Sequence, residues 1–319
     1  MPPSERIMTA SENRAHMPSR FVSFADQGMY LSHNAGAQQV IQLMWRYRRP
    51  VDLAAVMRFR DNIAHGRMAH LIRPALLPFG RHQWAKAPAP SSALEAPTTP
   101  LPSSEIQAWA DAQVELPLDP VHGPGWTFTI QPFSDGSTVI SLVVSHCLAD
   151  GVAMALAVGE AARGERITPY ISPAQTTAAT IAAELLRFAQ DTPATLRALG
   201  QLMRTARISR AMLKAPIATN ETDERAASLP SVFVRVPTSI WDEKARSLGA
   251  NRLTLVTAMT AAFAEALGRV RGDDVTLLIP VNQRDGLTDT GGNRVSLATV
   301  KVSSNERHGR LHTFQRRLQ

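Results

Sequence analysis

A histidine, a carboxylate and a glycine fall within seven residues, Ser145-His146-Cys147-Leu148-Ala149-Asp150-Gly151. Taking a proton from a hydroxyl at neutral pH requires a base whose pKa lies near the working pH, and an imidazole supplies one without large perturbation. Among the nine histidines, His146 is the best placed for this work, with a carboxylate close by and a glycine beside which a substrate can approach the backbone. By pattern alone, a histidine next to a helix cap is more often structural than catalytic, and both readings stand at this point. Cys147 is the single cysteine, which rules out an intrachain disulfide and a cysteine-based zinc site. Beside the histidine it reads as a small buried hydrophobe rather than a nucleophile. His308 and His312 have helical i, i+4 spacing without a third ligand, so no metal site is expected, and Gly291-Gly292 reads as a turn.

The surrounding pattern shows what must hold these residues. Trp126 to Phe133 and Thr138 to His146 are two β-rich runs about Ser134-Asp135-Gly136-Ser137, a hairpin in which Val139 to Val144 is apolar enough for a strand buried on both faces. Asp150-Gly151 then opens the alanine-rich helix VAMALAVGEAARGE, with Asp150 placed as a cap or first-turn carboxylate. His146 is thereby expected at a strand-to-helix junction, presented by rigid elements. Upstream, an apolar strand from Val40 is followed by a helical segment after Pro50 and Asp52. The Pro- and Ser-rich stretch from Lys86 to Pro102 reads as an exposed loop. The helical stretches IAAELLRFAQ and ATLRALGQLMRTARISRAML are separated by Pro193, and Arg197, Arg204, Arg207, Arg210 and Lys214 read as a solvated face. A second α/β pattern begins at LPSVFVRVP, passes through the helix LTLVTAMTAAFAEALGRV and reaches the strand DDVTLLIPVN. The expected organisation is a flexible tail over 1–20, a first half over 21–170, a helical connection and linker over 171–228, and a partial second half over 229–319.

With 319 residues, 44% of them hydrophobic and 19% charged, the chain has the composition of a globular protein long enough for two domains. No run approaches the roughly 20 apolar residues of a membrane span, and the N-terminus lacks a secretory signal, so a cytoplasmic location is expected. The net charge of +7 favours anionic partners: cofactor phosphates or an acidic membrane face at the inner surface. Basic clusters interleaved with aromatics are missing, and no nucleic-acid partner is expected.

The stretch VISLVVSHCLADGVAM resembles the His-x-x-x-Asp-Gly segment shared by wax ester synthase/diacylglycerol acyltransferases, polyketide-associated acyltransferases, peptide-synthetase condensation domains and chloramphenicol acetyltransferase. LPLDPVHGPGWTFTI resembles the wax ester synthase segment with a Pro-Leu-Trp signature, Gly125 standing for leucine. GANRLTLVTAMTAAFAEALG resembles that family's helix beginning Asn-Asp, and IPVNQRDGLTDTGGNRVSL its strand and Gly-Asn loop. Four segments in the same order identify the superfamily and point to the wax ester synthase branch. Three departures stand out: Ser145 replaces the first motif histidine, Arg252 reverses the charge of the Asn-Asp aspartate, and the chain ends soon after the Gly-Asn segment.

The resemblance implies an α/β (α+β) fold of two chloramphenicol acetyltransferase-like halves, the second incomplete, with a tunnel where donor and acceptor meet. It implies that His146 is the catalytic base, that Asp150 holds the loop through an ion pair, and that the Gly151 amide helps bind the oxyanion. Ser145, Asp150 and Gly151 are thus motif-structural, and Trp126, Asn251, Arg284 and Asn293 are substrate-binding or tunnel-shaping positions. The implied activity is fatty acyl transfer from acyl-CoA, a co-substrate rather than a bound cofactor, to a lipid alcohol or diacylglycerol. Two other readings remain open: a non-catalytic relative acting as a lipid-binding or interaction module, and a condensation-type acyltransferase.

Overall fold

The computed structural model describes residues 20–36, 38–88, 97–169, 171, 176–209, 232–270 and 274–303. The expected tail before Arg20, the segment 304–319 with His308 and His312, and Arg210 and Lys214 lie outside them. The chain divides into two compact units, one of residues 1–230 with 285–293 and the other of 231–284 with 294–319. The described residues 176–209 and 285–293 belong to the first of these units.

The first unit contains α1 (Phe24–Asn34), β1 (Val40–Tyr47), α2 (Leu53–Ala64), β2 (His70–Arg73) and β3 (Gln83–Lys86), then α3 (Ile106–Val114), β4 (Trp126–Pro132), β5 (Thr138–Ser145), α4 (Gly151–Arg163) and α5 (Thr177–Ser209). Its antiparallel sheet has the order β1-β5-β4. The central strand β5 is buried along its whole length, as its near-continuous apolar run requires of a strand flanked on both edges and covered on both faces. β5 pairs with β1 from Val40↔Ser145 to Tyr47↔Thr138, and with β4 from Trp126↔Val144 to Pro132↔Thr138. The β4–β5 turn is closed by Asp135, whose carboxylate accepts from the Ser137 amide at 3.0 Å, while Gly136 takes φ 78°, a conformation that needs no side chain. α2 packs on α4, joined by Asn62 Nδ2 donating to the Ala161 carbonyl at 3.1 Å. Val22, Ile63, Met68, Leu142, Val144, Leu148 and Met154 share one buried core.

Pro193 does not divide the helical stretch, because α5 runs through it as one element. A proline removes one N–H and bends a helix, and an exposed helix can leave the freed carbonyl to water. α5 is fastened by buried Glu184, whose two oxygens accept from the Leu76 and Leu77 amides at 3.0 and 2.9 Å. Arg197 is exposed on it.

The second unit holds α6 (Thr238–Ser247), α7 (Arg252–Ala266), β6 (Asp274–Asn282) and β7 (Val295–Ser303). β6 and β7 pair antiparallel from Asp274↔Ser303 to Asn282↔Val295, and Ala261 of α7 shares a small core with Val275, Leu277 and Val302. The run expected to open this unit as a strand is irregular over 232–237, with Val232, Phe233 and Val234 exposed. β propensity needs a neighbouring strand to be realised, and this run joins no sheet of the described residues. No helix of the described residues is long and apolar enough to cross a membrane.

Candidate active site

Strand β5 ends at Ser145, a buried residue whose amide donates to the Gly125 carbonyl at 3.0 Å. His146 follows at the start of a tight turn, in which the Leu148 amide donates to the Ser145 carbonyl at 2.9 Å. The main chain of His146 is held on both sides. Its amide donates to the Gln39 carbonyl at 2.9 Å, and its carbonyl accepts from Asn293 Nδ2 at 2.8 Å. The ring is half-buried, with Nδ1 enclosed and without a hydrogen-bond partner among the described residues. Enclosure of Nδ1 leaves Nε2 as the nitrogen available to a substrate.

Asp150 caps α4. Its carboxylate accepts from the Ala153 amide at 2.8 Å, and its own amide donates to the Gly292 carbonyl at 3.0 Å. Gly151 is the first residue of α4, where amides have no intrahelical acceptor and the helix dipole favours negative charge. A Cβ built at Gly151 meets nothing within 4 Å, so open space adjoins the helix start.

Asn293 is the residue that brings distant chain to the histidine. Buried with 5% exposure, it donates from Nδ2 and from its amide to Asp26 Oδ1 at 2.8 and 3.0 Å. Asp26 Oδ2 accepts from the Ser23 amide and hydroxyl at 3.0 and 2.6 Å, closing the capping box of α1. Burial raises the Asp26 carboxyl above its ordinary pKa, and the hydrogen bonds from Ser23 and Asn293 oppose that shift. Gly292 fits here because it lacks a side chain: a Cβ would stand 2.5 Å from the Leu148 carbonyl oxygen. The glycine pair read as a turn is thus a close backbone approach to the His146 turn.

Two buried residues that the sequence reading passed over complete the support. Arg67 forms a two-pronged ion pair with Glu160 of α4, Nε lying 2.9 and 2.8 Å from its oxygens. It also donates from one terminal nitrogen to the Asp289 carbonyl at 2.5 Å and from the other to the Leu287 carbonyl. His70 lies with Nδ1 2.7 Å from the Arg67 carbonyl and Nε2 3.2 Å from that of Leu148. Burial pushes its pKa below the ordinary histidine value, against the pull of those carbonyls, and a neutral ring donates to only one of them at a time. A capping-box pattern at Ser23-x-x-Asp26 was readable in the sequence. Nothing local signals that Asp26 also reaches a residue 267 positions away.

Trp126 opens β4 opposite Val144 and is half-buried beside a cavity. The glycine that replaces leucine before it has a steric reason: a Cβ on Gly125 would collide with Leu148 Cδ1 and stand 3.0 Å from Leu71 Cδ2. Cys147 is buried at 2% exposure, and burial raises its thiol pKa, which keeps thiolate scarce. Asn251 and Arg284 belong to the second unit. Asn251 caps α7, accepting from the Thr254 amide at 2.8 Å, and Arg284 is half-buried with Nη1 3.2 Å from Asn282 Oδ1. The charge reversal at Arg252 is answered within that unit, where its guanidinium lies 2.6 and 2.7 Å from the two oxygens of Asp242. Among the described residues no cluster could hold a metal ion.

No protein-family model matches the chain, and no curated protein matches it in sequence. Solved structures match its fold. The first condensation domain of the CDA synthetase is 20% identical, with 89% of this chain aligned to 69% of that one at a TM-score of 0.54. The first condensation domain of the calcium-dependent antibiotic synthetase, in complex with a substrate analogue, gives 21%, 88%, 69% and 0.56. A mutant starter condensation domain of rhizomide synthetase, in complex with C8-CoA, is 15% identical over 97% of this chain and 74% of its own, with a TM-score of 0.54. The protein is therefore a mixed α/β protein. Its fold is that of condensation domains, which is chloramphenicol acetyltransferase-like.

Proposed function

We propose that this protein is an acyltransferase in which His146 Nε2 is the general base for transfer of an acyl group from a thioester to a nucleophilic acceptor. The observation that carries the reading is the presentation of His146. A buried strand ends just before it, both of its main-chain groups are hydrogen-bonded, it is half-buried rather than enclosed, and the helix that begins five residues later has an uncrowded start. Nε2 accepts the acceptor's proton as its oxygen or nitrogen attacks the thioester carbonyl. The tetrahedral intermediate then collapses, the acyl–sulfur bond breaks, and the proton passes from the imidazolium to the departing thiolate. The position of Gly151 at a helix N-terminus supports a role for its amide as donor to the developing oxyanion.

Acyl-CoA is the donor this reading favours, because the rhizomide synthetase neighbour was solved with C8-CoA and the motif segments resemble those of acyl-CoA-dependent enzymes. The Pro-Gly-Trp and Gly-Asn segments support a lipid alcohol or diacylglycerol as acceptor, and the +7 charge suits peripheral contact with an anionic membrane. The condensation-domain fold supports instead an amine or hydroxyl of a peptide-synthetase kind. Thiol release from octanoyl-CoA, measured with a long-chain alcohol, with diacylglycerol and with an aminoacyl amide, separates these acceptors. His146→Ala should reduce turnover about 10²–10⁴-fold while the fold persists. Full turnover in folded His146→Ala would overturn the mechanism, and a wild type inert with every acceptor would favour a non-catalytic binding module.

A further inference from the structure

The loop 74–82 between β2 and β3, the start of α1 and the middle of α5 bring five large apolar side chains to the surface of the first unit. Phe24, Leu76, Phe79, Leu185 and Phe188 are between 46 and 58% exposed. They are held together. The Phe79 and Phe188 rings lie 4.8 Å apart, the Arg81 guanidinium stands 3.8 Å over the Phe24 ring, and Glu184, next to Leu185, accepts from the Leu76 and Leu77 amides. Clustered exposure of this kind marks a surface that meets something other than water.

The backbone and the charges beneath the patch narrow what that is. Pro74 and Pro78 have no N–H, and the amides of Ala75, Leu76, Leu77 and Gly80 donate to His82 Nδ1, to Glu184 and to the Leu77 carbonyl. The loop thus carries its apolar side chains on main chain whose donors are already used, as entry into hydrocarbon requires. Residues 74–82 include no acidic residue, and the carboxylates of α1 and α5 are Asp26, Glu184 and Asp191. All three turn inward: Asp26 and Glu184 are buried, and Asp191 Oδ2 lies 2.9 Å from Arg81 Nη1 and 3.1 Å from Arg187 Nε. Two guanidiniums on one carboxylate leave a positive excess beside the phenyl pair, and Arg197 adds an exposed cation on the same helix. Hydrocarbon with arginine and no outward carboxylate is the complement of an anionic lipid surface, which takes insertion and charge without fixed hydrogen-bond geometry. We infer that this patch docks the protein on an anionic membrane, Leu76 and Phe79 entering the headgroup boundary with Phe188 beside them. The inference does not depend on acyl transfer, and it gives the contact suggested by the net charge a place on the fold.

Sedimentation of the full chain with phosphatidylcholine vesicles, with and without phosphatidylglycerol, tests it in the absence of any acyl donor. Wild type should bind the phosphatidylglycerol vesicles and be released by high salt. Burying the exposed half of a phenylalanine contributes about 4- to 12-fold, so Phe79→Ser together with Phe188→Ser should lower the partition coefficient about 10- to 150-fold. Arg197→Gln should lower it about fivefold, and the circular dichroism spectrum should be kept throughout. Should the phenylalanine pair fail to fold, Leu76→Ser together with Leu185→Ser leaves the ring contact intact and carries the same expectation. Wild type that stays in solution with phosphatidylglycerol vesicles, binding that neither pair of substitutions weakens, or equal binding to phosphatidylcholine alone overturns the inference. A wild type that ignores vesicles but forms a dimer lost with the phenylalanine pair overturns it in favour of a second copy of the chain.

Discussion

Replacing Asn293 with alanine removes two hydrogen bonds at once, the one to the Asp26 carboxylate and the one to the His146 carbonyl. A hydrogen bond to a charged acceptor contributes about 1.5–3 kcal/mol and one to a neutral acceptor about 0.5–1.5 kcal/mol. Asp26 is not left bare, because Oδ1 keeps the Asn293 amide and Oδ2 keeps Ser23, so the full penalty of an uncompensated buried charge does not apply. The loss should thus be about 2–4.5 kcal/mol, which at about 2–4 °C per kcal/mol lowers Tm by roughly 4–18 °C. Thermal unfolding followed by circular dichroism measures that shift. Thiol release well below the variant's Tm measures the second consequence, a fall in kcat larger than any rise in KM, because the histidine turn loses a tether. Asn293→Asp sharpens the test by setting a second carboxylate against buried Asp26; it should be less stable than Asn293→Ala at neutral pH and regain stability on acidification. An Asn293→Ala protein with the wild-type Tm, or with a lowered Tm but wild-type kcat, would refute the tether.

Three further outcomes follow from the same geometry. Cys147→Ala should retain most acyl transfer, and alkylation of wild-type Cys147 by iodoacetamide should be slow at neutral pH, since burial raises the thiol pKa; an acyl adduct trapped on Cys147 by mass spectrometry would replace direct transfer with a covalent route. Gly125→Ala should cost about 1–3 kcal/mol by overpacking against Leu148 and Leu71, and a variant of unchanged Tm would show that those side chains yield freely. Burial raises the Asp26 pKa, so the folded state holds that proton more tightly than the unfolded chain. The associated stability is complete below the ordinary carboxyl value of 3.8 and is lost as pH rises through the raised folded-state pKa. The Tm of wild type minus that of Asp26→Asn should fall across that window and level off above it, whereas a pH-independent difference would remove desolvation as the cause.

The presentation of His146 was legible in the sequence because each part of it is local. The apolar run Val139–Val144 marks a buried strand, Asp135-Gly136 sets the turn of the hairpin, and Asp150 followed by an alanine-rich stretch marks a capped helix. These are patterns of period and capping that act over a few residues. The same reasoning divided α5, where an exposed helix absorbs Pro193, and read a strand at the opening of the second unit, where 232–237 joins no sheet of the described residues.

What surrounds the histidine was decided by the tertiary structure. Asp26, Arg67 and His70 carry no local mark of their long-range contacts, yet beside any near partner each reaches a distant one: Asn293, the 287–289 carbonyls and the Leu148 carbonyl. The glycines at 125 and 292 read as turns or substitutions until folding sets Leu148 against both. The sequence by itself determined a strand–turn–helix that carries His146, because strand period and helix capping are short-range. Only the packed chain decided what fixes that histidine, because a buried polar group is satisfied by whatever the fold brings within hydrogen-bond reach.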